Sequence, residues 1–185
     1  MSFLDNIDYQ LTRAATELGG QEPLRDSVVG ATADLLPYFF TAAGVWIFLS
    51  GRTKRQKEKG HDAVFAAIGA VLLAIGTRWL IGEVFHRDRP FVTHQLHHLD
   101  LVDPLEQSFP SGHAMVLFAF AGTIYFIGNH RKWGVALLTV AAVVAVARVA
   151  AGVHYPSDVI AGTLIGLALA KLVSWQSRWL AKEMR

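Results

Sequence analysis

The sequence predicts an all-α, integral membrane bundle of about five transmembrane helices, preceded by an amphipathic helix lying at the membrane interface. Three observations carry this. Apolar residues make up 52% of the 185 positions and charged residues 17%, too apolar a balance for an ordinary soluble domain of that length. Apolar runs at roughly 28–50, 62–85, 110–128, 132–152 and 156–175 each approach the ~20 residues that cross a bilayer. The joints between them are short, which makes successive runs antiparallel neighbours. The whole chain reads as one domain, with an interfacial helix and linker over 1–26, a transmembrane bundle over 27–175 and a tail over 176–185. The chain has no cysteine, which excludes disulfides and thiolate metal sites. A net charge of +2 gives no case for nucleic acid. No basic segment precedes an apolar run at the N-terminus, so no cleavable signal peptide is expected.

Taken in order, residues 2–18 place Phe3, Leu4, Ile7, Leu11, Ala14, Ala15 and Leu18 on one helical stripe, with Asp5, Asp8, Arg13 and Glu17 elsewhere. Gly19-Gly20 stops the helix. Its charges forbid a crossing, so it lies in the interface or packs on other protein. Asp34 and Pro37 interrupt the outer end of the first apolar run. The joining segments then fix the orientation. Arg52, Lys54, Arg55, Lys57, Lys59, Arg131, Lys132, Arg178, Lys182 and Arg185 fall on one side of a five-span chain, and Arg13, Arg25, Arg87 and Arg89 on the other. The positive-inside rule puts the N-terminus outside and the C-terminus in the cytoplasm. The loop at Arg89, the turn at Ser111–His113 and the turn at His154 then share the outer face.

These three fragments carry the chemistry. Arg89 and Arg148 offer planar forks suited to phosphate oxygens. Arg148 closes an otherwise apolar run, where a guanidinium is costly and marks a functional partner. Pro110-Ser111-Gly112-His113 reads as a helix start, with proline in the first turn and a glycine that lets backbone amides approach an anion. His154 and His113 divide the work of attacking phosphorus and protonating the leaving oxygen. Asp158, four residues after His154, is placed to hold the second imidazole nitrogen if the intervening turn leads into a helix.

Arg89-Pro90, Pro110-Ser111-Gly112-His113 and Arg148-(five residues)-His154-(three residues)-Asp158 resemble the three signature motifs of the type 2 phosphatidic acid phosphatase superfamily. The resemblance spans residues ~80–160. It implies a phosphatase that needs no metal or other cofactor and passes through a phosphohistidine. By that resemblance His154 is the nucleophile, Asp158 its orienter and His113 the acid, while Arg89, Arg148, Ser111 and Gly112 hold the phosphate. Two positions depart from the pattern: Gly82 stands where the family has a lysine, and Ala147 where it has a serine. Arg78, one turn before Gly82, and Arg87, in the loop, are the candidates to replace the lysine's charge. His86-Arg87-Asp88-Arg89-Pro90-Phe91 and Ser108-Phe109-Pro110 look most like the bacterial undecaprenyl-diphosphatases of this fold. The implied substrate is then a polyprenyl diphosphate, dephosphorylated at an extracytoplasmic site. Phosphatidylglycerophosphate, phosphatidic acid or a lipid A phosphate are the alternatives within the class, and a non-catalytic lipid transporter is the alternative outside it. His94, His97 and His98 with Asp100 and Asp103 form a histidine-rich loop that superficially resembles a metal site and is read instead as shaping the outer cup.

Overall fold

The computed structural model describes residues 3–17, 22–50, 53–127 and 130–183, and those residues form eight helices and no strand. They are α1 (Phe3–Thr16), α2 (Pro23–Asp34), α3 (Leu36–Leu49), α4 (Lys54–Val84), α5 (Pro90–His94), α6 (Gly112–Ile127), α7 (Arg131–Ala150) and α8 (Pro156–Glu183). Leu18, the Gly19-Gly20 stop, Arg52 and Arg185 lie outside the described residues, as do the side chains of Phe3, Lys54, Arg55, Lys57 and Lys182.

Among the described residues, four stretches are long and apolar enough to cross a membrane: Pro23–Leu49, Glu58–Val84, Arg131–Ala150 and Pro156–Leu180. The first begins earlier than its apolar run and is broken into α2 and α3 at Leu35. Pro37 explains the break, because its ring displaces the carbonyl one turn back and its nitrogen donates nothing. The remaining apolar helix, α6, has 16 residues, ~24 Å at the α-helical rise. It is the central helix, packed by α4, α7 and α8. Two boundaries differ from expectation. Residues 54–60 are not a loop but the start of α4, because Thr53 and Gln56 form a reciprocal capping box. The expected tail is also helical, since α8 continues to Glu183.

Along α4 the large side chains of Phe65, Ile68, Leu72 and Trp79 point outward and are exposed, while Ala63, Ala67, Ala70 and Ala74 point inward and are buried. Without a hydrophobic drive between helices in lipid, close backbone approach holds them together, and small residues permit it. On α8, Gly162 and Gly166 do the same against α6: a methyl group at Gly162 would sit 2.6 Å from the Ser111 carbonyl oxygen. This seam seats the start of α6 on the start of α8.

α1 is turned inside out relative to a soluble helix. Asp8, Thr12 and Thr16 are buried, whereas Leu4, Ile7 and Leu11 are exposed. The polar face meets α7 and α8, and the apolar stripe faces away from the protein, as an interfacial helix requires.

Candidate active site

The loops before α5 and α6 and the turn before α8 are tied together by backbone. Ser108 N donates to the Arg87 carbonyl at 2.7 Å, and Ser111 N to the Asp158 carbonyl at 3.0 Å. Gly152, at φ +73, lets the turn after α7 pass under the 97–98 backbone, a conformation that side chains rarely adopt.

These ties gather Arg78, Arg89, Gly112, His113, Arg148 and His154 around one cavity of ≈ 930 Å³. The cavity continues between α3, α4 and α6 along Phe40, Val45, Val64, Ile68 and Phe120, so a polar cup opens into an apolar groove. Arg148 is 1% exposed, with its NH1 3.8 Å from Asp34 Oδ1. Its Nε and NH1 have no hydrogen-bond partner among the described residues, and neither has the buried Ser111 Oγ. Buried donors are nearly always paired within a protein, so these point to a ligand's acceptors. Arg89 is anchored, donating from Nε to the Glu106 carbonyl at 2.8 Å and from NH1 to the Val153 carbonyl at 2.9 Å. Its NH2 lies 3.2 Å from Glu106 Oε2. A guanidinium has five N–H groups, so these bonds leave Arg89 with donors to spare.

His154 is buried behind this cup. Its Nδ1 faces Ser108 Oγ at 3.4 Å and Asp158 Oδ2 at 3.8 Å, which leaves Nε2 for the cavity. Ser108 Oγ in turn donates to Asp158 Oδ2 at 2.5 Å, and Tyr155 N donates to the same oxygen at 2.9 Å. Asp158 therefore stands beside His154 as expected, but Ser108 is wedged at their junction. Burial pushes the His154 imidazole from 6.5 down to about 4. Asp158 pulls against that fall, and Arg148 and Arg89 add to it. A buried, neutral imidazole with one nitrogen held and the other open has the form of a nucleophile.

The two candidates for the missing lysine part company. Arg78 lines the cavity, donates to the Gln107 carbonyl at 3.3 Å and lies against Gly112. The space above Gly82 is filled by the Gln107 side chain. Arg87 does not line the cavity. Its NH1 bonds Asp158 Oδ1 and its NH2 bonds Asp8 Oδ2, both at 2.7 Å, and its guanidinium lies 4.0 Å from the Tyr155 ring centroid. Two carboxylates hold its terminal nitrogens, so Arg87 is turned to Asp158 and Asp8 and away from the cup. Sequence reasoning quoted Ser108 in a motif but gave it no role, and it missed Glu106 and Gln107, whose only signal was position, immediately ahead of the 110–113 turn. It also missed Asp8, 149 residues from its partner Ser157, for which no local signal exists.

The histidine-rich loop does not converge. His97 Nε2 lies 3.3 Å from Asp26, His98 Nε2 lies 3.5 Å from Asp100 with its ring stacked on Phe91, and His94 packs on Tyr9.

A family model described as PAP2 superfamily matches residues 63–182. The chain belongs to that superfamily. It is 31% identical over 176 residues to a protein of Bacillus licheniformis named bacitracin transport permease protein BcrC, covering 95% of this chain and 82% of that one. It is also 31% identical over 172 residues to the putative undecaprenyl-diphosphatase YbjG of Escherichia coli K12, covering 82% and 81%. Among solved structures, Aquifex aeolicus LpxE matches with a TM-score of 0.63 at 26% identity, over 89% of this chain and 92% of that one. A PAP2-type phosphatidylglycerolphosphate phosphatase from Bacillus subtilis also matches at 0.63, with 22% identity over 100% and 89%. The latter likeness bears on the fold alone.

Proposed function

We propose that this chain, a membrane lipid phosphatase by family, hydrolyses undecaprenyl diphosphate to undecaprenyl phosphate and inorganic phosphate. The observation that carries the reading is the cup itself: unpartnered donors of Arg148, with the spare donors of Arg89, lie beside a buried His154 and open into an apolar groove. The cup suits a terminal phosphate, and the groove suits a polyprenyl tail. The name of the Escherichia coli relative, a putative undecaprenyl-diphosphatase, supports the same substrate.

In the first step His154 Nε2 attacks the terminal phosphorus and the bridging P–O bond breaks. His113 gives its proton to the departing lipid phosphate. Arg148, Arg89 and Arg78 offset the charge on the transferring oxygens, with the Gly112 amide and Ser111 beside them. In the second step His113 takes a proton from water, whose oxygen attacks phosphorus and breaks the P–N bond. His154 is then regenerated and inorganic phosphate leaves. Asp158, through Oδ2, stabilises the charge His154 carries between the steps.

The site faces the outside of a bacterial cytoplasmic membrane, with the C-terminus in the cytoplasm. The excess of lysine and arginine on the 51–60, 131–132 and C-terminal segments supports this orientation. Because the chain has no cysteine, a single cysteine placed at Asp100 should react with a membrane-impermeant thiol reagent in intact cells, and one at Glu58 should not. The reverse labelling pattern would sink the orientation.

The activity test is phosphate release by purified protein in detergent and EDTA. Undecaprenyl diphosphate, phosphatidylglycerophosphate, phosphatidic acid and a lipid A phosphate are assayed in parallel, with His154→Ala as control. Release from the diphosphate, retained in EDTA and absent from the variant, is expected. Equal release from all four would retain the mechanism and remove the substrate assignment. No release from any by folded protein would favour the alternative of a non-catalytic lipid transporter.

A further inference from the structure

The catalytic aspartate has two oxygens in two different environments. Oδ2 faces His154, Ser108 and the Tyr155 amide. Oδ1 accepts from Arg87, and Arg87 is itself held from outside the bundle. Asp8, on α1, accepts from Arg87 NH2 at 2.7 Å and from the Ser157 amide at 3.0 Å. It also accepts from the Ser157 hydroxyl. Its side chain is 8% exposed, far below what a carboxylate on a surface helix normally shows. The other two buried polar residues of α1, Thr12 and Thr16, bond carbonyls of their own helix. Asp8 is therefore the point at which the inward face of α1 grips the site.

Relying on the phosphatase reading, we propose that Asp8 is a positioning residue of the reaction: from α1 it holds Arg87 on the outer oxygen of Asp158. The argument runs through charge and geometry. An arginine given wholly to Asp158 would take up much of that carboxylate's negative charge and draw it toward Arg87. Asp8 shares Arg87, so Asp158 keeps charge on the oxygen turned to His154. Asp8 also occupies the first turn of α8, where a negative charge is favourable and the Ser157 amide has no partner within its own helix. One carboxylate thereby fixes both ends of the Arg87 bridge and the start of the helix that carries Asp158. Asp8 does not line the cavity, so on this proposal substrate affinity does not depend on it.

The test measures kcat, KM and melting temperature for the full chain in detergent on undecaprenyl diphosphate. Wild type is compared with Asp8→Asn, Asp8→Glu, Arg87→Lys and, as an exposed α1 control, Gln10→Ala. Asp8→Asn should lower kcat about tenfold, the scale of a group that orients another, with KM unchanged. Asp8→Glu should recover most of that loss. Gln10→Ala should match wild type. Arg87→Lys, which cannot span two carboxylates with a planar fork, should resemble Asp8→Asn and decides the question if Asp8→Asn does not fold. Full kcat in folded Asp8→Asn, or a loss confined to KM or to melting temperature, overturns the proposal while leaving the phosphatase reading intact. An inactive wild type overturns both.

Discussion

Arg87 and Arg89 stand two residues apart in one loop and end in opposite situations. Arg87 sits in a closed latch, where both terminal nitrogens meet carboxylates and its face covers Tyr155. Arg89 and, across the cup, Arg148 sit in an open cradle, where Arg148 Nε and NH1 are buried without a hydrogen bond among the described residues. Burial works against the charge of both loop arginines. At Arg87, Asp158 and Asp8 outweigh it and raise the pKa above the ordinary guanidinium value. At Arg89, Glu106 does not, and the pKa falls. The difference teaches that a guanidinium's function follows from which acceptors lie within hydrogen-bonding reach, not from its distance to a motif.

The largest effect should come from the cradle. Arg148→Ala should lower kcat/KM by about 10²–10³, the loss seen when a preorganised charge-stabilising donor is removed. Arg87→Ala should cost only about tenfold. Equal losses in a phosphate-release assay would erase the contrast between cradle and latch. Next comes Arg78, placed with the cradle by its contact with Gly112. Arg78→Ala should lose about tenfold in kcat/KM, the worth of one charge-assisted hydrogen bond. An unchanged value would return Arg78 to a purely structural role.

A third variant tests the frame that cradle and latch share. α8 carries Ser157 and Asp158, and Gly166 lets it lie against the α6 backbone at Met115. Gly166→Val should destabilise the fold by about 1–3 kcal/mol through overpacking, read as a lowered melting temperature in detergent. A melting temperature equal to wild type would mean that the seam tolerates separation.

The smallest effect is a slope with pH. The folded His154 pKa of about 4 lies below its ordinary 6.5, so the unfolded chain takes up the proton first. Its contribution to stability is fully present above pH 6.5 and is lost as pH falls toward 4. Wild type, compared with His154→Ala, should therefore lose melting temperature across that window. The acid limb of kcat/KM should fall near pH 4 instead of near 6.5. A limb near 6.5 would show that His154 is not held neutral by burial.

The residues of the cradle were readable in the chain because their spacing is local. Pro110 and Ser111 lie just ahead of α6, which starts at Gly112 and not at the proline, and Arg148, His154 and Asp158 bracket one turn between α7 and α8. The membrane-spanning runs were readable for the same reason, since bilayer thickness imposes its length on each segment separately. Other signals lay in the sequence unused: Thr53-x-x-Gln56 caps α4, and Gly162-x-x-x-Gly166 is the close-packing pattern of membrane helices. What the sequence by itself determined is therefore the membrane-spanning runs, their apolar lengths and the motif residues of the cup. What only the tertiary structure decided is the direction in which ambiguous side chains turn. Arg87 bonds two carboxylates supplied from 71 and 79 residues away. α1 hides Asp8 and shows Leu4, Ile7 and Leu11 to the outside. Periodicity finds the two faces of such a helix but not which faces protein, because that depends on a partner from the other end of the chain and on lipid that can take the apolar side.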